Sequence, residues 1–177
     1  ALFLPDAQVV VIGGGVIGLE LAASASKRGA RATVIEALPR VLMRGCPEVI
    51  AAAVASRHAA AGTTILTGAK VAAIEADAVV LDDRARIAAD AIVAGIGAVP
   101  AVELARAAGL GLDNGIACDG AMRTSDPSIF AAGDCCSFPH PLYDGRRIRL
   151  EAWRSAQDQA AIAARNMLGH GVAYDAV

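Results

Sequence analysis

Three glycines and one acid carry most of the chemistry open to this sequence. Gly13-Gly14-Gly15-Val16-Ile17-Gly18 places Gly13, Gly15 and Gly18 in the spacing G-x-G-x-x-G, and Glu36 closes the next apolar run. Glycine at these places allows a tight turn (Gly13), close approach of the backbone to a pyrophosphate (Gly15) and close packing of helix on strand (Gly18). The spacing alone is weak, because a merely tight strand-to-helix turn uses the same glycines. Its context is specific: the β-branched run Val9-Val10-Val11-Ile12 precedes it and a helical pattern follows. A helix N-terminus there offers unpaired N–H groups and partial positive charge to phosphate. Residues 13–18 are therefore expected to bind a dinucleotide.

A carboxylate at Glu36 can accept hydrogen bonds from both hydroxyls of an adenosine ribose, each worth about 1.5–3 kcal/mol. A 2′-phosphate would meet it at a repulsion of about 4 kcal/mol per charge pair at 4 Å and an effective dielectric of 20, before solvent screening. NADH is thus expected over NADPH, with Arg40 the one nearby residue able to soften the preference. The alternative for Glu36 is an exposed charge at a strand end. The four cysteines, Cys46, Cys118, Cys135 and Cys136, show no CxxC or CxxxxC spacing, so no redox dithiol is expected. Cys135-Cys136 with His140 lacks a fourth ligand, and the sequence predicts buried or idle thiols rather than a metal site.

The elements that must position these residues follow from the apolar pattern. Val9–Ile12 reads as a strand buried on both faces of a parallel sheet, followed by a helix with Ile17, Leu21 and Ala25 on one stripe and Gly29 at its end. Ala32–Ile35 and Thr63–Thr67 are further strands, separated by a helix that opens at Pro47-Glu48 and stops at Gly62. Val71–Ala88 predicts a small antiparallel meander, and Ile92-Val93-Ala94 another buried strand. A short helix spans Val102–Ala108. Turn-formers then dominate 110–150, with an alternating strand at Gly115-Ile116-Ala117-Cys118, and a last helix runs from about Ser155 to Leu168. The expected class is α/β: a Rossmann-like domain of parallel sheet with β-meander, then a second part, with the boundary between Gly97 and Asp113.

Composition excludes several classes. Across 177 residues, 16 basic and 18 acidic side chains give a net charge of −2 and a pI near 5.9, without the clustered positive charge of a nucleic-acid binder. Aromatics are 3% of residues, too few for a base-stacking platform. Although 55% is apolar, much of that is alanine, and the longest uncharged stretch, Ala7 to Leu19, falls short of the roughly 18–20 residues that span a bilayer. A soluble protein with reduced thiols, in the cytoplasm, is expected.

On these residues the sequence resembles the FAD-dependent pyridine-nucleotide reductases, and most closely the ferredoxin reductase components of bacterial oxygenase systems, with relatives such as putidaredoxin and rubredoxin reductases. The resemblance rests on Val9 to Ala22, on Val34-Ile35-Glu36-Ala37-Leu38-Pro39-Arg40, on Gly95-Ile96-Gly97-Ala98-Val99-Pro100, on Arg123 to Asp134, and on Glu151-Ala152-Trp153-Arg154-Ser155-Ala156-Gln157. It implies an NAD(H)-binding domain at residues 1–98 that includes Gly97, and the returning part of a split FAD-binding domain at 99–177. It implies that Gly133-Asp134 holds the ribityl or phosphate region of the flavin and that Glu151-Ala152-Trp153 lies along the isoalloxazine. The helix near Ser155 would point its N-terminus at the flavin N1/O2 edge, which suits an anionic reduced flavin. Glu20 would lie near the nicotinamide, or else be a solvated helix charge. A turn-capping role for Asp134 and ordinary core packing for Trp153 are the alternatives there.

The implied reaction is hydride transfer from NADH to flavin, then single-electron transfer to a small iron–sulfur ferredoxin. Arg146, Arg147, Arg149 and Arg154 could form a basic face for that partner, or simply a solvated cluster. The family's earlier G-x-G-x-x-G has no counterpart before Val9, the chain begins at Ala1 and it ends at Val177. It is therefore expected to be a piece of something longer, nearly colourless and of little reductase activity when isolated. An NADH oxidase or nitrite reductase of the same fold is the alternative enzyme. A non-catalytic NAD-binding module is the third reading, disfavoured by the segments around Asp134 and Trp153.

Overall fold

Successive valines build the centre of the first unit. The computed structural model describes residues 4–175, in two units that divide between Gly97 and Ala98. The first runs β1 (Gln8–Ile12), α1 (Val16–Lys27), β2 (Arg31–Glu36), α2 (Glu48–Ala60), β3 (Thr64–Thr67), β4 (Val71–Ile74), β5 (Ala78–Leu81), β6 (Arg86–Ala88) and β7 (Ala91–Ala94). Four of these strands form a parallel sheet in the order β3-β2-β1-β7. The other three form an antiparallel meander, β4-β5-β6.

Neighbouring residues of a strand face opposite sides of its sheet, and β1 buries both sides: Val9, Val10 and Val11 are all at most 1% exposed. Val9, Val11 and Val34 pack with Leu19, Ala22 and Ala25 of α1. Val10 and Ile35 pack with Val79 and Leu81 of the meander. Helices thus cover one face and the meander covers the other. Small residues let α1 lie close to the sheet, since Ala22 and Ala25 are wholly buried. Each buried valine contributes about 1.5–3 kcal/mol.

The second unit carries α3 (Glu103–Ala107), β8 (Ile116–Ala117), β9 (Cys136–Pro139), a single 3-10 turn at Pro141–Tyr143, β10 (Arg147–Ile148) and α4 (Trp153–Met167). Its sheet has the order β10-β9-β8, antiparallel on one side of β9 and parallel on the other. Cys118, Met122, Cys136 and Phe138 pack against Ile162 and Ala163 of α4 and against Tyr174. Asn166 fastens the following segment, donating to the carbonyls of Ala121 (2.8 Å) and Val172 (2.7 Å) and accepting from the Val172 N–H (2.7 Å).

Two sequence expectations shift. The strand expected over Gly115–Cys118 is confined to Ile116–Ala117. It begins after Gly115, which has φ +125°. Past Cys118 the chain turns, because the Asp119 carboxylate accepts from the N–H groups of Ala121 and Arg123. The last helix starts at Trp153, two residues before Ser155, because the extended conformation of Ala152 (φ −146°, ψ 132°) places the N-cap there.

Candidate functional site

The loop between β1 and α1 is held by its glycines. Gly13 donates to the Ile35 carbonyl at 2.7 Å and lies at φ +106°, where a Cβ would also strike the Gly95 carbonyl. A Cβ on Gly18 would run into the Gly13 carbonyl oxygen and come within 3.3 Å of Val11 Cγ1. On Gly14 it would stand 2.8 Å from Val41 Cγ1 and 3.1 Å from Glu36 Oε2. Gly15 is different: a Cβ there would have no atom within 4 Å. Three of the four glycines are required by the protein's own packing, and Gly15 is not.

Gly15 is also the N-cap of α1, with no side-chain cap and no acid in the first helical turn. The first bond of the helix runs from the Leu19 N–H to the Gly15 carbonyl at 3.0 Å, so the N–H groups of Val16, Ile17 and Gly18 have no acceptor within the helix. Val16 and Ile17 expose their side chains beside them. Open space in front of unpaired donors is what a pyrophosphate requires. The residues present fit a dinucleotide.

Glu36 ends β2 with its carboxylate turned back on this loop. Oε2 accepts from the Gly14 N–H at 2.7 Å and Oε1 from the Leu38 N–H at 2.8 Å. Each oxygen keeps a further lone-pair site, so the group is both anchored and able to accept from a sugar hydroxyl. Arg40 donates to the carbonyls of Val41 (3.2 Å) and Cys46 (3.0 Å), which shapes its own loop. The exposed cation at this edge is Arg44, whose Nη1 lies 3.1 Å from where a Cβ of Gly97 would stand. Arg44 thus bridges the loop after β2 and the loop after β7. Sequence reasoning missed it, because its nearness to Gly97 follows from the fold and not from its spacing after Arg40. The strand order reverses between β2-β1 and β7, and the fingerprint loop and Gly95–Gly97 follow the carboxyl ends of the two strands at that point. Ligands of open α/β sheets bind at such a place. Glu20 is exposed on α1, with no side-chain partner among the described residues.

In the second unit the turn before β9 carries Gly133 (φ +89°) and Asp134. The Gly133 N–H donates to Gln159 Oε1 at 2.8 Å, and the Asp134 carbonyl accepts from Arg149 Nη1 at 3.0 Å. Arg149, its side chain 13% exposed, also pairs with Glu151 at 2.7 Å. The structure therefore joins Asp134 and Glu151 through Arg149, while the Asp134 carboxylate has no partner among the described residues. Trp153 is 81% exposed, which sets aside its reading as a core residue. α4 begins without a side-chain cap and without an acid in its first turn. Uncapped donors beside a free carboxylate fit one side of a flavin site.

The four arginines weighed as a basic face or a solvated cluster do not act alike, and only Arg146 is exposed without an acidic partner among the described residues. Arg147 donates into the unit, to the carbonyls of Cys118 (2.8 Å) and Ser137 (2.7 Å), Arg149 is mostly buried, and Arg154 pairs with Asp158 at 3.0 Å. Backbone carbonyls compete successfully for guanidinium donors here, a signal absent from sequence. All four cysteines are free. Cys136 donates to Gln159 Oε1 at 3.0 Å, and its hydrogen bond with Cys118, then burial, push its thiol far above the ordinary range. Gln159 was not singled out from sequence, and Arg149 was read only as part of a basic face or solvated cluster, not as the link between Asp134 and Glu151. The trace they leave is a polar residue on the inner stripe of α4 and an arginine two residues before Glu151.

Over residues 2–160 the sequence matches the model of the pyridine nucleotide-disulphide oxidoreductase family. It is 46% identical over 171 residues to the ferredoxin–NAD(+) reductase component of the anthranilate 1,2-dioxygenase system of Burkholderia cepacia, a match covering 94% of this chain and 42% of that protein. The rubredoxin–NAD(+) reductase of Pseudomonas putida is 44% identical over 169 residues, covering 93% and 44%. Among solved structures, a chain of the covalent putidaredoxin reductase–putidaredoxin complex aligns with a TM-score of 0.91 at 41% identity, over 98% of this chain and 43% of that one. The chain spans less than half the length of the curated relatives it matches.

Proposed function

Because the chain belongs to the pyridine nucleotide-disulphide oxidoreductase family, we propose that it is the NADH-binding portion of a flavoprotein reductase that passes electrons from NADH through FAD to a ferredoxin-type iron–sulfur protein. The observation that carries the nucleotide half is the open space at Gly15, before an uncapped helix N-terminus and beside the anchored carboxylate of Glu36. The names of the relatives, a ferredoxin–NAD(+) reductase component and a rubredoxin–NAD(+) reductase, support the class of acceptor.

In this reading residues 1–98 bind NAD(H) and 99–177 supply one part of the FAD site. Gly13, Gly14 and Gly18 keep the loop tight, the N–H groups of Gly15, Val16 and Ile17 meet the pyrophosphate, and Glu36 takes the adenosine ribose. Arg40 holds the loop in shape, while Arg44 and the backbone at Gly97 meet the nucleotide from the far side. Glu20 borders the nicotinamide. Gly133, Asp134, Glu151, Ala152 and Trp153 face the flavin. When bound, NADH would supply the hydride and flavin would accept it and divide it into single electrons; the chain supplies orientation and electrostatics. Among the described residues no helix is long and apolar enough to cross a membrane. Free thiols and an NADH substrate go with a cytoplasmic setting.

Titration calorimetry of the chain with NADH and NADPH tests the reading. NADH should bind at least about tenfold more tightly, a difference of about 1.4 kcal/mol. Equal affinities remove the cofactor assignment. Reduction of a ferredoxin by the intact flavoprotein, faster than reduction of oxygen or nitrite, separates the proposed acceptor from the oxidase and nitrite reductase alternatives.

A further inference from the structure

Gln159 is wholly buried on the inner stripe of α4, next to Ile162 and Ala163, where an apolar side chain of similar size would fill the same space. Its amide is committed at three points. Oε1 accepts from the Gly133 N–H at 2.8 Å and from the Cys136 thiol at 3.0 Å, and Nε2 donates to Ser155 Oγ at 2.8 Å. The two acceptor sites of the oxygen are therefore both used. A flipped amide would set its NH2 against the Gly133 N–H, so the orientation is fixed. One side chain thus joins the turn that carries Asp134, the first residue of β9 and the first turn of α4. Gly133 lies immediately before Asp134, whose own carbonyl is held by Arg149. The carboxylate of Asp134 is the free group on a turn fixed from both sides.

We propose that Gln159 is a positioning residue that sets the Gly133–Asp134 turn against the N-terminus of α4 and thereby determines how tightly flavin is held. The inference rests on the reading of Asp134 and the α4 N-terminus as flavin contacts. It adds a residue that touches no cofactor, acting through the Gly133 N–H and Ser155.

The test uses the intact flavoprotein, stripped of flavin and titrated with FAD by fluorescence quenching, as wild type, Gln159→Leu, Gln159→Glu, Asp134→Asn and the double variant Asp134→Asn/Gln159→Leu. Gln159→Leu should weaken FAD about tenfold, the loss of one buried acceptor. The double variant should bind no more weakly than the weaker of the two single variants, because both changes act on one turn. Gln159→Glu, protonated in its buried setting, can still accept from Gly133 and donate to Ser155. It should hold FAD within threefold at pH 6 and lose affinity as pH rises to 9, a profile absent from wild type. Unchanged FAD affinity in Gln159→Leu, or multiplied losses in the double variant, overturns the inference. Should Gln159→Leu not fold, a pH-independent Gln159→Glu overturns it instead. An Asp134→Asn variant with wild-type FAD affinity overturns the reading of the flavin site itself, whatever Gln159 does.

Discussion

At Gly15 the protein has room for a methyl group and the proposed nucleotide does not. Gly15 has φ −77° and ψ −176°, which any residue adopts, and its added Cβ would touch nothing within 4 Å. Gly15→Ala removes freedom from the unfolded chain, a gain of about 0.4–1 kcal/mol. It also replaces a fair N-cap residue by a poor one, a loss of about 0.5–1 kcal/mol. The two nearly cancel, so the urea midpoint should stay within about 1 kcal/mol of wild type. Binding behaves otherwise. A phosphate oxygen sits about 2.9 Å from the N–H that holds it, whereas a methyl group requires about 3.5 Å of clearance. The pyrophosphate must retreat and lose one or two charge-assisted bonds of about 1.5–3 kcal/mol each. NADH affinity measured by titration calorimetry should fall by about 30-fold or more, roughly 2 kcal/mol. Gly120→Ala, equally open in the second unit, should change neither quantity. Gly18→Ala should lose stability first, by about 1–3 kcal/mol, because its Cβ meets the Gly13 carbonyl. A stable Gly15→Ala that binds NADH within threefold of wild type refutes the placing of a pyrophosphate at this loop.

Both oxygens of Glu36 face backbone N–H donors, so Glu36→Gln must turn an NH2 toward Gly14 or Leu38. It should cost about 1–2 kcal/mol in thermal unfolding and narrow the NADH/NADPH difference; an unchanged affinity ratio speaks against the ribose role. Mass mapping after iodoacetamide at pH 7.5 should find Cys46 and Cys135 labelled in the folded chain and Cys118 and Cys136 only after unfolding; native labelling of Cys136 contradicts the buried pair. The raised thiol of Cys136 stabilises the fold fully below the unfolded thiol value of about 8.5 and less as pH climbs above it. Urea midpoints should fall between pH 8.5 and 10, and Cys136→Ser should flatten that decline. Ala152→Asp would cap α4 and raise stability by about 0.5–2 kcal/mol, while weakening FAD in the intact flavoprotein; unchanged FAD affinity argues against a flavin at that helix end.

What the sequence makes legible is local and periodic. Val9 to Ile12 reads as doubly buried because every residue is apolar, and the meander reads as such because charges break Val71–Ala88 into short runs. The fingerprint is legible because backbone geometry admits only glycine at Gly13, where φ is +106°. Contacts made by long polar side chains across the chain are not. Nothing in the spacing of Arg147 and Arg149 says that they turn inward to carbonyls, since any backbone oxygen is an equal acceptor until the fold chooses one. Gln159 and Arg44 are hidden for the same reason. Their partners lie 26 and 53 residues away, at Gly133 and Gly97, and those separations follow from topology rather than from periodicity.

The helix ends carry the same logic into both units. α2 and α3 begin with Glu48 and Glu103, acids that answer the partial positive charge of a helix N-terminus. None of the four α-helices has a side-chain cap, and α1 and α4 lack the first-turn acid as well. α4 goes further and places a cation there, Arg154, whose charge is met by Asp158 one turn on. Beyond the cap that all four lack, a helix without the acid forgoes about 0.3–1 kcal/mol. The two ends left bare are those beside the Gly13–Gly18 loop and the Glu151-Ala152-Trp153 segment. An anionic ligand at each would restore what the sequence leaves out, and a side-chain acid at either would have to be displaced before that ligand could bind. Helix ends without an acid, on a chain whose other two α-helices carry one, are thus the mark of donors reserved for something outside it.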